Sequence, residues 1–102
     1  MPVLDSIIAE EFDRLESLRK RMIAEIASCP QGAFSVKRKG ARHYAYRAYR
    51  KSGKVVTDYI GPADSEEAVT LASLIHKRQT LSSELKAVSQ DIDRIRRILH
   101  VR

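Results

Sequence analysis

The chain has one cysteine, Cys29. A disulfide framework and a zinc ribbon or finger each need more thiols than that, so both are excluded. Long apolar runs are also missing. No stretch approaches the roughly 18 residues that a membrane-spanning helix requires. The opening Met-Pro-Val-Leu-Asp lacks the basic and then apolar order of a secretion signal. A soluble, cytoplasmic protein of a reducing compartment, without a membrane partner, is the expectation. Glycine and proline are few, four and three, and 43% of the residues are hydrophobic. That composition argues against disorder. A length of 102 residues points to one small domain, 1–102, with a modest core and little room for a large catalytic cleft.

The most informative scarcity is of acids in the middle of the chain. The net charge is +6, but it is not spread evenly. Residues 1–33 carry six acids and four bases, and residues 58–102 carry seven of each. Residues 34–57 carry eight bases (Lys37, Arg38, Lys39, Arg42, Arg47, Arg50, Lys51 and Lys54) and no acid. Solvated surfaces usually intersperse both signs, so a one-sign block of this density calls for an anionic partner.

Hydrophobic spacing gives the fold. Leu4, Ile7, Ile8, Phe12, Leu15, Leu18, Met22, Ile23 and Ile26 recur in steps of three and four, and Pro30 and Gly32 follow them. This predicts a helix over 3–28. The middle changes period. Phe34 to Arg38, His43 to Arg50 and Val55 to Ile60 are rich in β-branched and aromatic residues. Turns fall at Lys39–Arg42 and Ser52-Gly53, and Gly61-Pro62 ends the run. The pattern predicts a three-stranded antiparallel meander over 33–61. Asp64 or Ser65 then caps a second helix over 65–100, with Asp64 and Glu67 at the spacing of a capping box. Its apolar positions, Leu71, Leu74, Leu81, Leu85, Val88, Ile92, Ile95 and Leu99, form a heptad seam in which Arg78 fills the missing position. The fold class expected is therefore α+β: two long helices, an antiparallel helical hairpin or coiled coil, flanking a β-meander. The seam is long and the second helix, about 50 Å, exceeds the first, about 40 Å. A homodimer through the helices is accordingly expected.

Strand alternation sorts the central residues. With Ser52-Gly53 as a two-residue loop, Arg47 lies opposite Asp58, Tyr46 opposite Tyr59 and Tyr49 opposite Val56. One face collects Phe34, Val36, Ala45, Tyr49, Val56 and Ile60, with Arg47 paired to Asp58, and is fit to pack on the helices. The other collects Ser35, Lys37, Tyr44, Tyr46, Ala48, Arg50, Thr57 and Tyr59. Cations neutralise phosphates and tyrosine rings offer bases a stacking surface. The candidate nucleic-acid or partner-binding set is Lys37, Arg38, Lys39, Arg42, His43, Tyr44, Tyr46, Arg47, Arg50, Lys51, Lys54 and Tyr59. Lys and Arg also serve simply to protect strand edges.

Other chemistry is sparse. His43, His76 and His100 are far apart and none has a Cys or carboxylate at ligand spacing, so no metal site is expected. Cys29 reads as a small packing residue. Asp91 and Asp93 are two apart on a helix and do not face each other. No glycine-rich phosphate loop is present. Neither a catalytic constellation nor a cofactor is expected, and the chain reads as a non-enzyme.

The order Ser35-Val-Lys-Arg-Lys-Gly, Tyr44-Ala-Tyr-Arg-Ala-Tyr-Arg, Ser52-Gly-Lys-Val, Tyr59-Ile-Gly and Ser65-Glu-Glu-Ala, over about residues 33–70, resembles the three-stranded arm-type DNA-binding domain of phage and transposon tyrosine recombinases. It is also similar to a hairpin near the start of some insertion-sequence transposases. The resemblance implies DNA contact through the sheet by Lys37, Arg38, Tyr44, Tyr46, Arg47 and Arg50. No recombinase or transposase catalytic domain accompanies it, and both helices lie outside it. The reading that follows is a small nucleic-acid-binding accessory or regulatory protein of phage or mobile-element type, in a bacterial or phage-infected cell, with DNA favoured over RNA. Two alternatives differ in class. One is a protein-binding inhibitor, such as an anti-CRISPR protein, acting on a nucleic-acid-processing complex. The other is a coiled-coil adaptor.

Overall fold

The computed structural model describes residues 2–100, and side chains from Leu4 to Leu99. The elements follow in the order α1 (Pro2–Ser28), β1 (Ala33–Lys39), β2 (Arg42–Lys51), β3 (Lys54–Pro62) and α2 (Glu66–His100). The chain divides into two compact units. One is the sheet unit, Cys29–Gln79; the other joins α1 to the part of α2 that begins at Thr80.

In the sheet unit, β1, β2 and β3 lie side by side in sequence order and pair antiparallel. The expected register is the observed one. Arg47 lies opposite Asp58, Tyr46 opposite Tyr59 and Tyr49 opposite Val56. The turns explain why it holds. Lys51 pairs with Lys54 across Ser52 and Gly53, whose φ angles are +53° and +79°. Positive φ at both central residues marks the tight turn whose twist matches a hairpin. The first turn is tighter than expected, because Lys39 and Arg42 also pair and leave only Gly40 and Ala41 in the loop.

The alternation breaks once. Between Ala45 and Tyr46 the register shifts, so that Gly61 faces Ala45, Pro62 faces Tyr44 and Ile60 is the extra residue of a bulge. Gly61 is buried with φ +150°, a conformation that L side chains rarely take. A glycine inside a strand pattern is the usual mark of a bulge. Beyond it the Ala63 N–H donates to the His43 carbonyl at 2.9 Å and the Ser65 N–H to the Pro62 carbonyl at 3.0 Å. These bonds turn the chain into α2. The cap is Ser65, whose Oγ accepts from the Ala68 N–H at 3.3 Å. It takes the role that the Asp64–Glu67 spacing had suggested for Asp64.

The core of this unit consists of Cys29, Ala45, Ala68 and Ile75. Ala45 lies on the face with Phe34, Tyr49 and Val56, which are half-buried. The 0% exposure of Ala45 shows that this face is covered, and Ala68 and Ile75 at the start of α2 are buried in the same unit. Two expectations change here. Val36 belongs to the covered face by parity but is 48% exposed, near its edge. Ile75, 2% exposed, is buried in the first turns of α2 along with Ala68, where the heptad reading chose Leu74, at 38%. Arg78 is drawn out of the seam by a backbone partner. Its Nη1 donates to the Cys29 carbonyl at 2.8 Å, just past the end of α1. Helix ends leave carbonyls unpaired, and a cation there is favourable.

In the helical unit, Leu15, Met22 and Ile92 are buried. Arg96 bonds to Glu16 at 3.4 Å and lies 5.8 Å from the centre of the Phe12 ring. This contact joins the two segments of the unit. On the surface of α1, Arg14 makes a two-point contact with Glu11 one turn away, and that hydrogen bonding holds the Glu11 carboxyl below its ordinary pKa. Helix α2 has 35 residues against 27 in α1, and its residues before Thr80 belong to the sheet unit. Of the seam residues from Leu81 to Leu99, Ile92 is buried, whereas Leu81, Leu85, Val88, Ile95 and Leu99 are half-buried. No helix among the described residues is long and apolar enough to cross a membrane.

Candidate nucleic-acid interface

Alternation and register divide the eight central bases between two faces. Lys37, Lys39, Arg42 and Arg50 share a face with Tyr44, Tyr46 and Tyr59; Arg38, Arg47, Lys51 and Lys54, together with His43, take the opposite parity. The candidate set is therefore not one surface. The sheet's only acid, Asp58, sits opposite Arg47 on the second face, so the tyrosine face carries cations alone.

The tyrosine face is an ordered cluster. Tyr44 and Tyr46 stand two apart on β2, and Tyr59 comes from β3. The Tyr59 ring lies 5.6 Å from Tyr46 at 59° and 6.0 Å from Tyr44 at 54°. These tilted contacts at 5–6 Å are a favourable geometry for aromatic pairs. On the other side of Tyr46, the Lys37 Nζ lies 5.0 Å from the ring centre, a cation–π contact. Tyr46 is thus held between Lys37 and Tyr59. Tyr59 itself is 57% exposed. Lys39 joins the three rings around a shallow hollow. Arg42 stands beside Lys39 at the first turn, Arg50 lies toward the second, and all four cations are exposed.

The second face uses Arg47 and Arg38 for structure. Arg47 was expected to pair with Asp58. Instead its Nε donates to the Gln31 carbonyl at 2.6 Å, and its guanidinium lies 4.5 Å from the centre of the Tyr49 ring. The link that leads into β1 offers a fixed carbonyl and Tyr49 a flat ring, whereas the Asp58 carboxylate is exposed to water and attracts weakly through it. Gln31 lies 16 residues from Arg47, and no local pattern points to it. Arg38 donates to the Gly40 carbonyl at 2.8 Å and braces the first turn. Lys51 and Lys54 flank the second turn, exposed. His43 is exposed and helps line a groove of about 670 Å³ with Val36, Arg42, Pro62 and Asp64.

Cys29 is buried. Among the described residues no three His, Cys, Asp or Glu side chains stand together as a metal site would require; the His100 side chain lies outside the described residues. Residues 5–69 match the family described as a domain of unknown function, DUF6788, and the chain belongs to that family. The matched segment takes in most of α1, the whole sheet and the first turn of α2. No curated protein and no solved structure matches the chain.

Proposed function

We propose that this protein binds nucleic acid, without catalysing a reaction, through the face of the sheet that carries Tyr44, Tyr46 and Tyr59. The observation that supports this most is the joining of four exposed cations and a three-ring cluster on one acid-free face. Phosphates meet the cations and bases meet the rings, the two contacts that nucleic-acid surfaces combine. An accessory or regulatory role in a phage or mobile-element setting, with DNA favoured over RNA, is the role proposed for that surface. The helical unit serves as the scaffold and associates with a second copy. Support for that comes from the seam, where two helices leave five of six heptad positions from Leu81 to Leu99 only half-buried, while coiled-coil knobs are normally enclosed by a partner.

The test is a salt-titrated binding measurement with labelled DNA and RNA oligonucleotides. Binding is expected at low salt. If all four face cations meet phosphates, the log–log salt slope is about −3 for a single strand and somewhat steeper for a duplex. Absence of binding to any oligonucleotide at about 50 mM salt, where such contacts are strong, would overturn the proposal.

A further inference from the structure

Tyrosines set the centre of this face and cations set its margin, and that order narrows the class of ligand. Duplex DNA is read through base edges by Arg, Lys, Asn or Gln placed to reach into a groove. Here the middle of the face is occupied by rings in mutual contact, and Lys37, the most central cation, is engaged with the Tyr46 ring. Lys39 and Arg50 stand toward the two ends of the sheet. A row of cations flanking exposed aromatic surface suits an unpaired strand, whose bases are free to stack while its phosphates follow the charges. A paired base offers no open ring face except at a duplex end.

The three rings are not equivalent. Tyr46 has Lys37 on one side and Tyr59 on the other. Tyr44 and Tyr46 are half-buried on the central strand. Tyr59 stands on the outer strand β3 and is 57% exposed. We infer that the tyrosine face binds single-stranded nucleic acid, with an unpaired base stacked on Tyr59 and neighbouring phosphates on Lys37 and Lys39. This deepens the nucleic-acid reading given above and rests on it. The second face has no comparable arrangement, since its Tyr49 ring is covered by Arg47.

The experiment compares the full chain with its Tyr59→Ala and Tyr59→Phe variants. The probes are a labelled single strand of about 12 nucleotides, within the span of known single-strand sites, and a blunt duplex of the same sequence. The single strand is expected to bind at least about tenfold more tightly than the duplex at low salt. Tyr59→Ala is expected to weaken single-strand binding about 5- to 150-fold, the range for loss of one stacked base, and to weaken duplex binding by a smaller factor. Tyr59→Phe keeps the ring and retains the affinity. A second readout needs no substitution: the chain has four tyrosines and no tryptophan, so stacking quenches its tyrosine emission as the strand is added. Equal or tighter binding of the duplex, or unquenched emission in a saturated complex, overturns the single-strand inference and leaves nucleic-acid binding standing. Failure to bind either probe overturns both.

Discussion

Arg78 shows how one side chain decides between two accounts of this sequence. By spacing alone it occupies a seam position where an apolar residue belongs, so Arg78→Leu ought to extend the heptads and stabilise the protein. In the structure its guanidinium satisfies the Cys29 carbonyl, and leucine removes that partner. A charge-assisted bond of this kind contributes about 1.5–3 kcal/mol. Arg78→Leu is therefore expected to lower the urea midpoint, and an unchanged or raised midpoint would favour the heptad account. Gly32 makes a second residue-scale prediction. Its φ is +114°, and a Cβ built there lies 2.3 Å from the Ala48 carbonyl oxygen, which belongs to backbone. Neither the angle nor the strand yields cheaply, so Gly32→Ala is expected to cost at least about 2 kcal/mol in chemical denaturation.

Each element formed for a reason visible in its residues, and the exceptions arose where distant parts of the chain meet. Ser52-Gly53 announced a hairpin turn and set the register that placed Tyr46 beside Tyr59. Because Ser52 holds φ +53° without being glycine, Ser52→Asn is expected to raise the stability of the sheet, by a few tenths to about 1 kcal/mol. A thermal melt of the variant checks this; a lower midpoint would contradict the turn assignment. Ser65→Ala removes the Oγ that caps α2 and is expected to cost about 1 kcal/mol. Asp64→Ala leaves that cap in place. The bulge at Ile60 had a local sign in Gly61, yet simple alternation ran through it. The exchange of Leu74 for Ile75 had a different origin. The heptad step of 3.5 and the helical step of 3.6 drift apart over several turns, and the start of α2 serves the sheet, for which the seam is the wrong guide.

At the scale of the molecule, the excess positive charge was legible as a central block, but its division into two faces was not settled by the block itself. Alternation placed Lys37 and Arg50 with the tyrosines. The assignment of Lys39 and Arg42 waited on the tight first turn, and that of Arg47 on Gln31, a neighbour only in space. The expected partner Asp58 was close in the ladder and lost to a backbone carbonyl and a ring. The helical unit carries its own prediction: light scattering at micromolar concentration is expected to report about twice 11.6 kDa, and a single-chain mass would remove the second copy from the account.

The central claim is that one face, not the total charge, binds nucleic acid. Two triple variants test it directly. Lys37→Glu with Lys39→Glu and Arg50→Glu alters the tyrosine face; Arg38→Glu with Lys51→Glu and Lys54→Glu alters the other. Each takes the net charge from +6 to zero, so long-range attraction falls to a similar extent in both. Anisotropy titrations with one labelled single strand, repeated across a salt series, are expected to show binding abolished and the salt slope lost in the first variant. The second is expected to keep most of its affinity and a slope near that of the unaltered chain. Equal losses in the two variants, or a greater loss in the second, would contradict the account.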